Sequence, residues 1–366
     1  MCADDGEIIK SSQSLHAVSS TEAQSSGELQ GLKHINLRNI RLYDDGAWAF
    51  ASFMQRNSLI ESIDLSNNGI SDEGMMAIGA CVDNRLSRLH TLKLNGNGFG
   101  VDGAKYLLKA FNDSNAIAHL ELCANRLGDD GCDAMCELIK HHTNLRHIYL
   151  DNNYIGNDGA TSLGLALEKN RTLLTLSLNS NRIYPFGAER LGYYLQWNAT
   201  LTDLRLSNNP LGPDGSRNIC NVLLVTNSLR SLELAAVGLV RDNLAMGMLS
   251  IGYGLRKCRS LTSLDLSNNN ITDDFAEELG QSLSLNRNLL HLKVDNNPLS
   301  AKWFRPNHYF ICKVMNEMPS LRTSLDKNAE VQNDPKLAKK YAIKNLKVLI
   351  PHIFAHSISH AYRLSL

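Results

Sequence analysis

The chain has 366 residues, 43% of them hydrophobic, so it is long enough to bury a large core or several domains. Its 37 Lys and Arg residues balance 37 Asp and Glu residues, which excludes a whole-protein electrostatic drive onto nucleic acid or membrane. The sequence lacks a run of about 18 apolar residues, so we expect no transmembrane segment. The acidic first residues lack the basic and apolar regions of a signal peptide.

The first segment, residues 1–28, is polar and rich in serine. Little in it could bury enough apolar surface to offset the entropy lost on ordering, so we predict a disordered N-terminal arm. Two interpretations stay open for this arm: a solvated tail without a role, or a docking arm that is phosphorylated.

From residue 29 to residue 318 one pattern recurs, as in Leu145–Asn153, with apolar residues at Leu145, Ile148 and Leu150 before the asparagine. Aligned on that asparagine, ten units follow one another at spacings of 28 residues, apart from one of 29 and one of 32. A fixed period of this kind indicates a repeat solenoid. The recurrent asparagines are Asn68, Asn97, Asn125, Asn153, Asn181, Asn209, Asn269 and Asn297.

Within each unit the alternating apolar residues predict a short strand, and the apolar residues that follow at helical spacing predict a helix. Strands of successive units should stack in parallel with helical crossovers. Because helices are wider than strands, the stack should curve into a horseshoe with the strands inside. A glycine six residues after the asparagine should let the chain turn tightly into the helix. These glycines are Gly46, Gly74, Gly103, Gly131, Gly159, Gly187 and Gly215.

The pattern resembles the ribonuclease-inhibitor class of leucine-rich repeats over residues 29–318. The resemblance implies an α/β leucine-rich-repeat solenoid with parallel strands on the concave face and helices on the convex face. The asparagines lie where each strand turns away, and a buried amide there must be hydrogen-bonded. We therefore interpret them as a structural asparagine ladder.

Two units depart from the pattern: the first carries Ile40 in place of asparagine, and the eighth carries Val237. Four extra residues follow Val237 within 239–257, and they predict either a lengthened helix or a protruding partner-binding segment. Trp303 and the aromatic residues after it predict a last helix that covers the core. Residues 319–366 form a predicted C-terminal cap with a basic helical tail, in which residues 337–350 either cap the array or bind a membrane surface or a partner helix.

Binding should use the concave face, whose side chains lie six, four and two residues before each asparagine position. This surface is mixed in charge, mildly acidic and nearly free of aromatic residues, so it suits a protein partner better than nucleic acid. Tyr149 is its only aromatic residue and the predicted hot spot. The predicted partner-binding residues are His119, Glu121, His147, Tyr149, Asp151, Arg205 and Glu233.

We predict no catalytic residue, metal or cofactor. His119, Cys123 and His147 are residue types that bind metals or form a nucleophile pair, but sheet spacing should hold them apart on an open surface. The eight cysteines are scattered through the repeats, which favours free thiols in a reducing compartment: the cytoplasm, or the nucleus as an alternative. Cys132 replaces an alanine of other repeats and should be buried. Glycosylation triplets at Asn112, Asn170 and Asn198 would then be accidental.

Two segments, Arg88–Gly100 and His147–Gly156, are similar to repeats of the activators of the small GTPase Ran. The resemblance implies a strand arginine and a loop asparagine that organise the GTPase site. Lys93 stands at the arginine position, and Asn152 or Asn153 matches the asparagine. The preferred function is a monomeric, non-enzymatic interaction scaffold inside the cell. A GTPase activator, or a sensor-type repeat region related to immune receptors, is the alternative.

Overall fold

Short strands and helices alternate along the chain with the period of the sequence repeat. The computed structural model describes residues 8–9, 32–54, 57, 59–82, 87–112, 115–240 and 246–299. These residues fall into a first unit, Met1–Asn209, and a second unit, Pro210–Leu366. The predicted last helix at Trp303, the tail 319–366 and all of the predicted N-terminal arm except Ile8 and Ile9 lie outside the described residues.

In the first unit each strand pairs in parallel with the strand of the next repeat, and paired residues lie one repeat apart. Tyr149, for example, lies beside Glu121 on one side and Ser177 on the other. Within the predicted arm, Ile8 and Ile9 pair with His34 and Ile35. The strands are β1 (Ile8–Ile9), β2 (His34–Asn36), β3 (Ser62–Asp64), β4 (Thr91–Lys93), β5 (His119–Glu121), β6 (His147–Tyr149), β7 (Thr175–Ser177) and β8 (Asp203–Arg205).

Each strand from β2 to β7 is followed by a helix, and neighbouring helices from α1 to α6 pack against one another. Apolar side chains from both elements, such as Ile148, Leu150, Leu163 and Leu167, are fully buried between the sheet and the helices. The outward strand side chains therefore form the opposite face of the sheet. The helices are α1 (Tyr43–Met54), α2 (Asp72–Val82), α3 (Val101–Asn112), α4 (Gly128–His141), α5 (Asn157–Lys169) and α6 (Pro185–Leu195).

The second unit continues with α7 (Gly212–Asn221), a 3-10 turn at Val222–Leu224, β9 (Ser231–Glu233), α8 (Met246–Lys257), β10 (Ser263–Asp265), α9 (Asp273–Leu285) and β11 (His291–Lys293). Strand β10 pairs in parallel with β9 and β11. The described part of α8 has 12 residues. Residues 241–245, immediately before it, lie outside the described residues, so a lengthened helix and a protruding segment both stay predictions for the four extra residues.

The recurrent asparagines link neighbouring repeats through backbone hydrogen bonds. Asn181 Nδ2 donates to the carbonyls of Leu150 and Leu178 at 2.9 and 3.0 Å, and its Oδ1 accepts the N–H groups of Asn153 and Ile155 at 2.9 and 3.0 Å. Each of the eight amides donates to a carbonyl of the preceding repeat. This satisfies backbone groups that the sheet leaves unpaired where the strands end.

A second polar row, which the sequence analysis missed, lies 17 residues after the ladder position, where each helix ends. Asn170 Oδ1 accepts the N–H groups of Thr172 and Leu173, while Nδ2 donates to the carbonyl of Ile139 at 2.7 Å. The glycosylation triplets at Asn170 and Asn198 are therefore structural, because both side chains are only 5% exposed. The residues of this row that accept N–H groups are His142, Asn170, Asn198, Thr226 and Asn286.

Four helices of the first unit, α2, α3, α5 and α6, are capped across repeats. Asp129, at the start of α4, accepts the N–H groups of Gly156 and Gly159 at the start of α5, at 2.6 and 3.0 Å. A carboxylate in this place satisfies free donors and opposes the positive end of the helix dipole. The residues that cap the following helix in this way are Asp44, Asp72, Asp129 and Asn157.

This capping explains the recurrent glycine where the capping residue is an aspartate, at Gly74, Gly103 and Gly159, and corrects its predicted role there. Gly159 lies inside α5 and does not have a left-handed φ. A Cβ there would lie 2.7 Å from Oδ1 of Asp129 and 2.8 Å from Cγ2 of Ile155. At Gly159 the glycine is thus required by the close approach of the capping carboxylate and not by a turn into the helix.

Where the capping residue is missing, the chain enters the helix differently. Val101 occupies the capping position before α4, and there Gly128 adopts a left-handed φ of 60° and donates to the carbonyl of Asn153 at 2.9 Å. Helix α1 has no preceding helix among the described residues that could supply a cap. There Tyr43 adopts a φ of 51°, and its N–H donates to the carbonyl of Asn68 at 2.9 Å. Both helices without a cap across repeats are thus entered through a residue in the left-handed region, which glycine adopts without steric cost.

Candidate functional site

Strands β4 to β8 bring together most of the predicted binding residues on the outward face of the first unit. The parallel register places residues six, four and two before each ladder position in adjacent columns. We call this group the strand-face cluster. It comprises Lys93, Asn95, His119, Glu121, Cys123, His147, Tyr149, Asp151, Ser177, Asn179, Asp203 and Arg205.

Glu121 binds three neighbouring side chains of the cluster. Its Oε1 accepts His119 Nε2 at 2.8 Å and lies 2.9 Å from Lys93 Nζ, while Oε2 accepts Asn95 Nδ2 at 2.6 Å. The hydrogen bond from His119, with those from Lys93 and Asn95, lowers the pKa of Glu121 from 4.5 to about 2 against the opposing effect of burial. The carboxylate therefore holds three neighbouring side chains in fixed positions.

We expect Glu121→Gln to lower the free energy of unfolding by about 1–2 kcal/mol at neutral pH, because charge-assisted bonds are replaced by weaker neutral ones. Since folding lowers this pKa, the carboxylate stabilises the fold fully above pH 4.5, and the effect disappears as the pH falls towards 2. Urea unfolding of both proteins at neutral pH and at about pH 3 measures the difference. A difference that stayed constant or grew on acidification would contradict this assignment.

Asp151 is bound from two sides. Its Oδ1 accepts the hydroxyl of Ser177 and, at 2.7 Å, the N–H of Asn179, and its Oδ2 lies 3.7 Å from Cys123 Sγ. Burial first, and then the charge of Asp151, raise the pKa of Cys123 to about 12. The thiol is therefore protonated at neutral pH, so it is a poor nucleophile and a poor metal ligand.

Tyr149 lies at the centre of an aromatic and cationic contact. Its ring centroid is 5.2 Å from that of His119, and the guanidinium of Arg205 is 5.9 Å from the same centroid. Arg205 Nε also donates to Asp203 Oδ1 at 3.2 Å. Burial raises the pKa of the Tyr149 hydroxyl, which is therefore protonated at neutral pH. A partly buried ring, held by neighbours and carrying a hydroxyl, suits a protein interface.

His147 lies beside His119, with ring centroids 5.6 Å apart, and its Nδ1 is 3.0 Å from the hydroxyl of Thr175. Burial and the neighbouring His119 lower the pKa of His147. Among the described residues no group of three or more His, Cys, Asp or Glu side chains is arranged to hold a metal ion.

Two residues of the GTPase-activator resemblance have other partners. Lys93 forms an ion pair with Glu121, and Asn153 is fully buried with its amide on the carbonyl of Leu122. Asn152 is exposed, but its φ of 53° shows a local reason for asparagine, which tolerates the left-handed region. Of the predicted partner-binding residues, Glu233 belongs to β9 in the second unit and is not part of the cluster.

Four supporting residues of the cluster were outside the predicted binding set: Asn95, Ser177, Asn179 and Asp203. Asn95 and Asn179 each also accept a strand N–H from the next repeat, Cys123 and Ser207, at 2.8 Å. Both precede a ladder asparagine by two residues. This spacing was a usable signal, since the ladder and its neighbour repeat with the same period.

A family model described as leucine-rich repeat matches residues 56–79, 87–108, 141–164, 169–192, 198–220 and 257–279. No curated protein matches the chain. Among solved structures, leiomodin-1 actin-binding site 2 is similar, with 19% identity over 50% of this chain and 87% of that chain and a TM-score of 0.33. No helix among the described residues is long and apolar enough to cross a membrane.

The matched segments coincide with the strand and helix repeats, and the ladder asparagines connect those repeats in both units. Parallel strands that alternate with helices at a 28-residue period form an α/β solenoid. Six segments of the chain therefore match leucine-rich repeats, and the chain folds as a leucine-rich-repeat solenoid.

Proposed function

We propose that this protein is a non-enzymatic interaction scaffold that binds a protein partner through the strand-face cluster. The observation that carries the proposal is Tyr149, a polar aromatic side chain fixed between His119 and Arg205 on an otherwise polar sheet face. Repeat solenoids offer extended surfaces of this kind to protein partners. Rigid aromatic residues with charged neighbours supply most of the energy at such interfaces.

The charges of the cluster support a protein partner over a nucleic acid. Lys93 and Arg205 are each paired with a carboxylate, Glu121 and Asp203, so neither offers an unpaired cation to a phosphate backbone. Paired charges at the rim of an aromatic contact favour orientation and specificity. The partner is therefore expected to present complementary polar groups around an apolar contact to Tyr149.

Three finer assignments belong to the same proposal. The 28-residue period with a full helix in each described repeat supports the ribonuclease-inhibitor-like class of repeats. The described cysteines are all unpaired, which supports a reducing compartment, the cytoplasm or alternatively the nucleus. Cys2 and Cys312 lie outside the described residues. Glu233 stays a predicted binding residue on the second unit.

We expect Tyr149→Ala combined with Arg205→Glu to weaken partner binding by at least about 100-fold, or about 3 kcal/mol, through loss of the anchor and reversal of a charge. The measurement is affinity capture from cytosol with wild-type and variant chains, followed by titration of the captured protein. A matched control, Tyr193→Ala with Lys105→Glu, makes the same kinds of change on exposed helical residues. Equal capture by wild type and the Tyr149 variant would overturn the proposal.

A further inference from the structure

A row of acidic residues runs along the N-terminal ends of the helices in the first unit. Each lies five residues after the ladder position, in the first turn of its helix, and each is exposed. Carboxylates suit this place because the helix N-terminus is positive. We call these residues the acidic row: Asp45, Glu73, Asp102, Asp130 and Asp158.

The acidic row is interrupted at α6. Phe186 occupies the corresponding position and is 58% exposed, after an exposed Pro185 and a Tyr184 that is 51% exposed. In the preceding repeat, the exposed ring of Tyr154 lies 4.6 Å from the guanidinium of Arg182. We call Tyr154, Arg182, Tyr184 and Phe186 the aromatic edge.

The fold does not account for the aromatic edge. Phe186 contributes no capping group, and its ring is more than half exposed, so an acidic residue in its place would favour the helix. Tyr154, Tyr184 and Phe186 are exposed apolar side chains in two neighbouring repeats, and exposed apolar patches mark interaction sites. Asp130 and Asp158, which continue the row in the adjacent repeats, form no ion pair among the described residues.

We propose that the aromatic edge and the acidic row together dock an extended segment of a second protein partner. The segment carries one bulky apolar residue for the aromatic edge and Lys or Arg residues for Asp158 and Asp130. Packed helices lie about 8–10 Å apart, and an extended chain advances about 3.3 Å per residue, so the basic residues should recur about every third position. This surface lies at the helix ends, apart from the strand-face cluster, and does not depend on the proposed function.

A random 12-residue peptide display library, selected on the full wild-type chain, tests the proposal. We expect enriched peptides with a bulky apolar residue and Lys or Arg about three residues apart. Phe186→Asp should weaken their binding at least about tenfold. This variant restores the residue type found in the other repeats, so it should fold normally. Trp197→Ala removes an exposed aromatic residue outside the edge and should leave binding unchanged.

Three outcomes would overturn the proposal: no enrichment, enriched peptides without basic residues, or peptides that bind the Phe186→Asp variant as tightly as wild type. The Tyr149→Ala and Arg205→Glu variant separates the two surfaces. Peptides that lose binding only in that variant bind the strand-face cluster, which contradicts docking at the aromatic edge without contradicting the scaffold. Peptides lost only with Phe186→Asp support the edge, whatever the outcome for the strand face.

Discussion

Replacing Asn181 by Leu should lower the free energy of unfolding by about 4 kcal/mol. The change removes the acceptor of the Asn153 and Ile155 N–H groups and the donor to the Leu150 and Leu178 carbonyls. Asn181 is only 6% exposed, so water does not readily replace these bonds. Each buried backbone group left unsatisfied costs about 1–3 kcal/mol, partly offset by the apolar side chain.

Urea unfolding measures the loss for Asn181→Leu, and hydrogen exchange locates it. The amides of Asn153 and Ile155 should lose protection first, because each repeat depends mainly on its neighbours. Gln196→Ala changes an exposed residue just after the following helix, α6, and should stay within about 0.5 kcal/mol of wild type. A loss below about 1 kcal/mol, or unchanged protection of the two amides, would show that the ladder is dispensable.

The fold could be predicted from the sequence because the same strand and helix pattern recurs in successive repeats. Each unit alone gives a weak signal, but Leu145, Ile148 and Leu150 recur with the same spacing along the chain. The register follows at once, since residues one repeat apart must lie side by side. The period does not predict contacts between different positions of neighbouring repeats, such as the hydrogen bond between Asp129 and Gly159.

The cross-repeat caps were missed for that reason, and the glycine was misinterpreted as a turn residue. In the sequence, Asp129 is an ordinary acidic residue at the start of a helix. The structure shows that it caps the following helix. The second polar row had a signal, the recurrence of Asn170 and Asn198, but it was read only as chance glycosylation triplets. Periodicity alone therefore found positions more reliably than it found their roles.

The strand-face cluster was predicted in outline and not in its bonds. The spacing placed Glu121, Tyr149 and Asp151 on one face, where the register now brings them together. It did not show that Lys93 pairs with Glu121, because rotamer choice and side-chain competition are not periodic. The identity of the partner is harder still to predict from the sequence, because a solenoid supports many ligands and only the side chains of one surface select among them.

Gly159→Ala should destabilise the protein by about 2–3 kcal/mol, although alanine usually favours a helix over glycine. The new Cβ would meet Asp129 Oδ1 at 2.7 Å and Ile155 Cγ2 at 2.8 Å, so the capping carboxylate must move. Gly131→Ala is the matched control. Val101 stands at the position that would cap α4, so no carboxylate approaches Gly131. The nearest atom to a Cβ at Gly131 is Leu127 Cβ at 3.0 Å. We therefore expect a change in the free energy of unfolding below about 1 kcal/mol.

A double-mutant cycle with Asp129→Ala identifies the cause of the Gly159 effect. Asp129→Ala alone removes the acceptor of two N–H groups and should cost about 2 kcal/mol. In its presence Gly159→Ala should cost about 1 kcal/mol less than in wild type, because the carboxylate that the methyl group displaces is already absent. Additive losses in urea unfolding would instead place the conflict at Ile155. The glycine would then be required by packing within its own repeat, and the cap would have no part in selecting it.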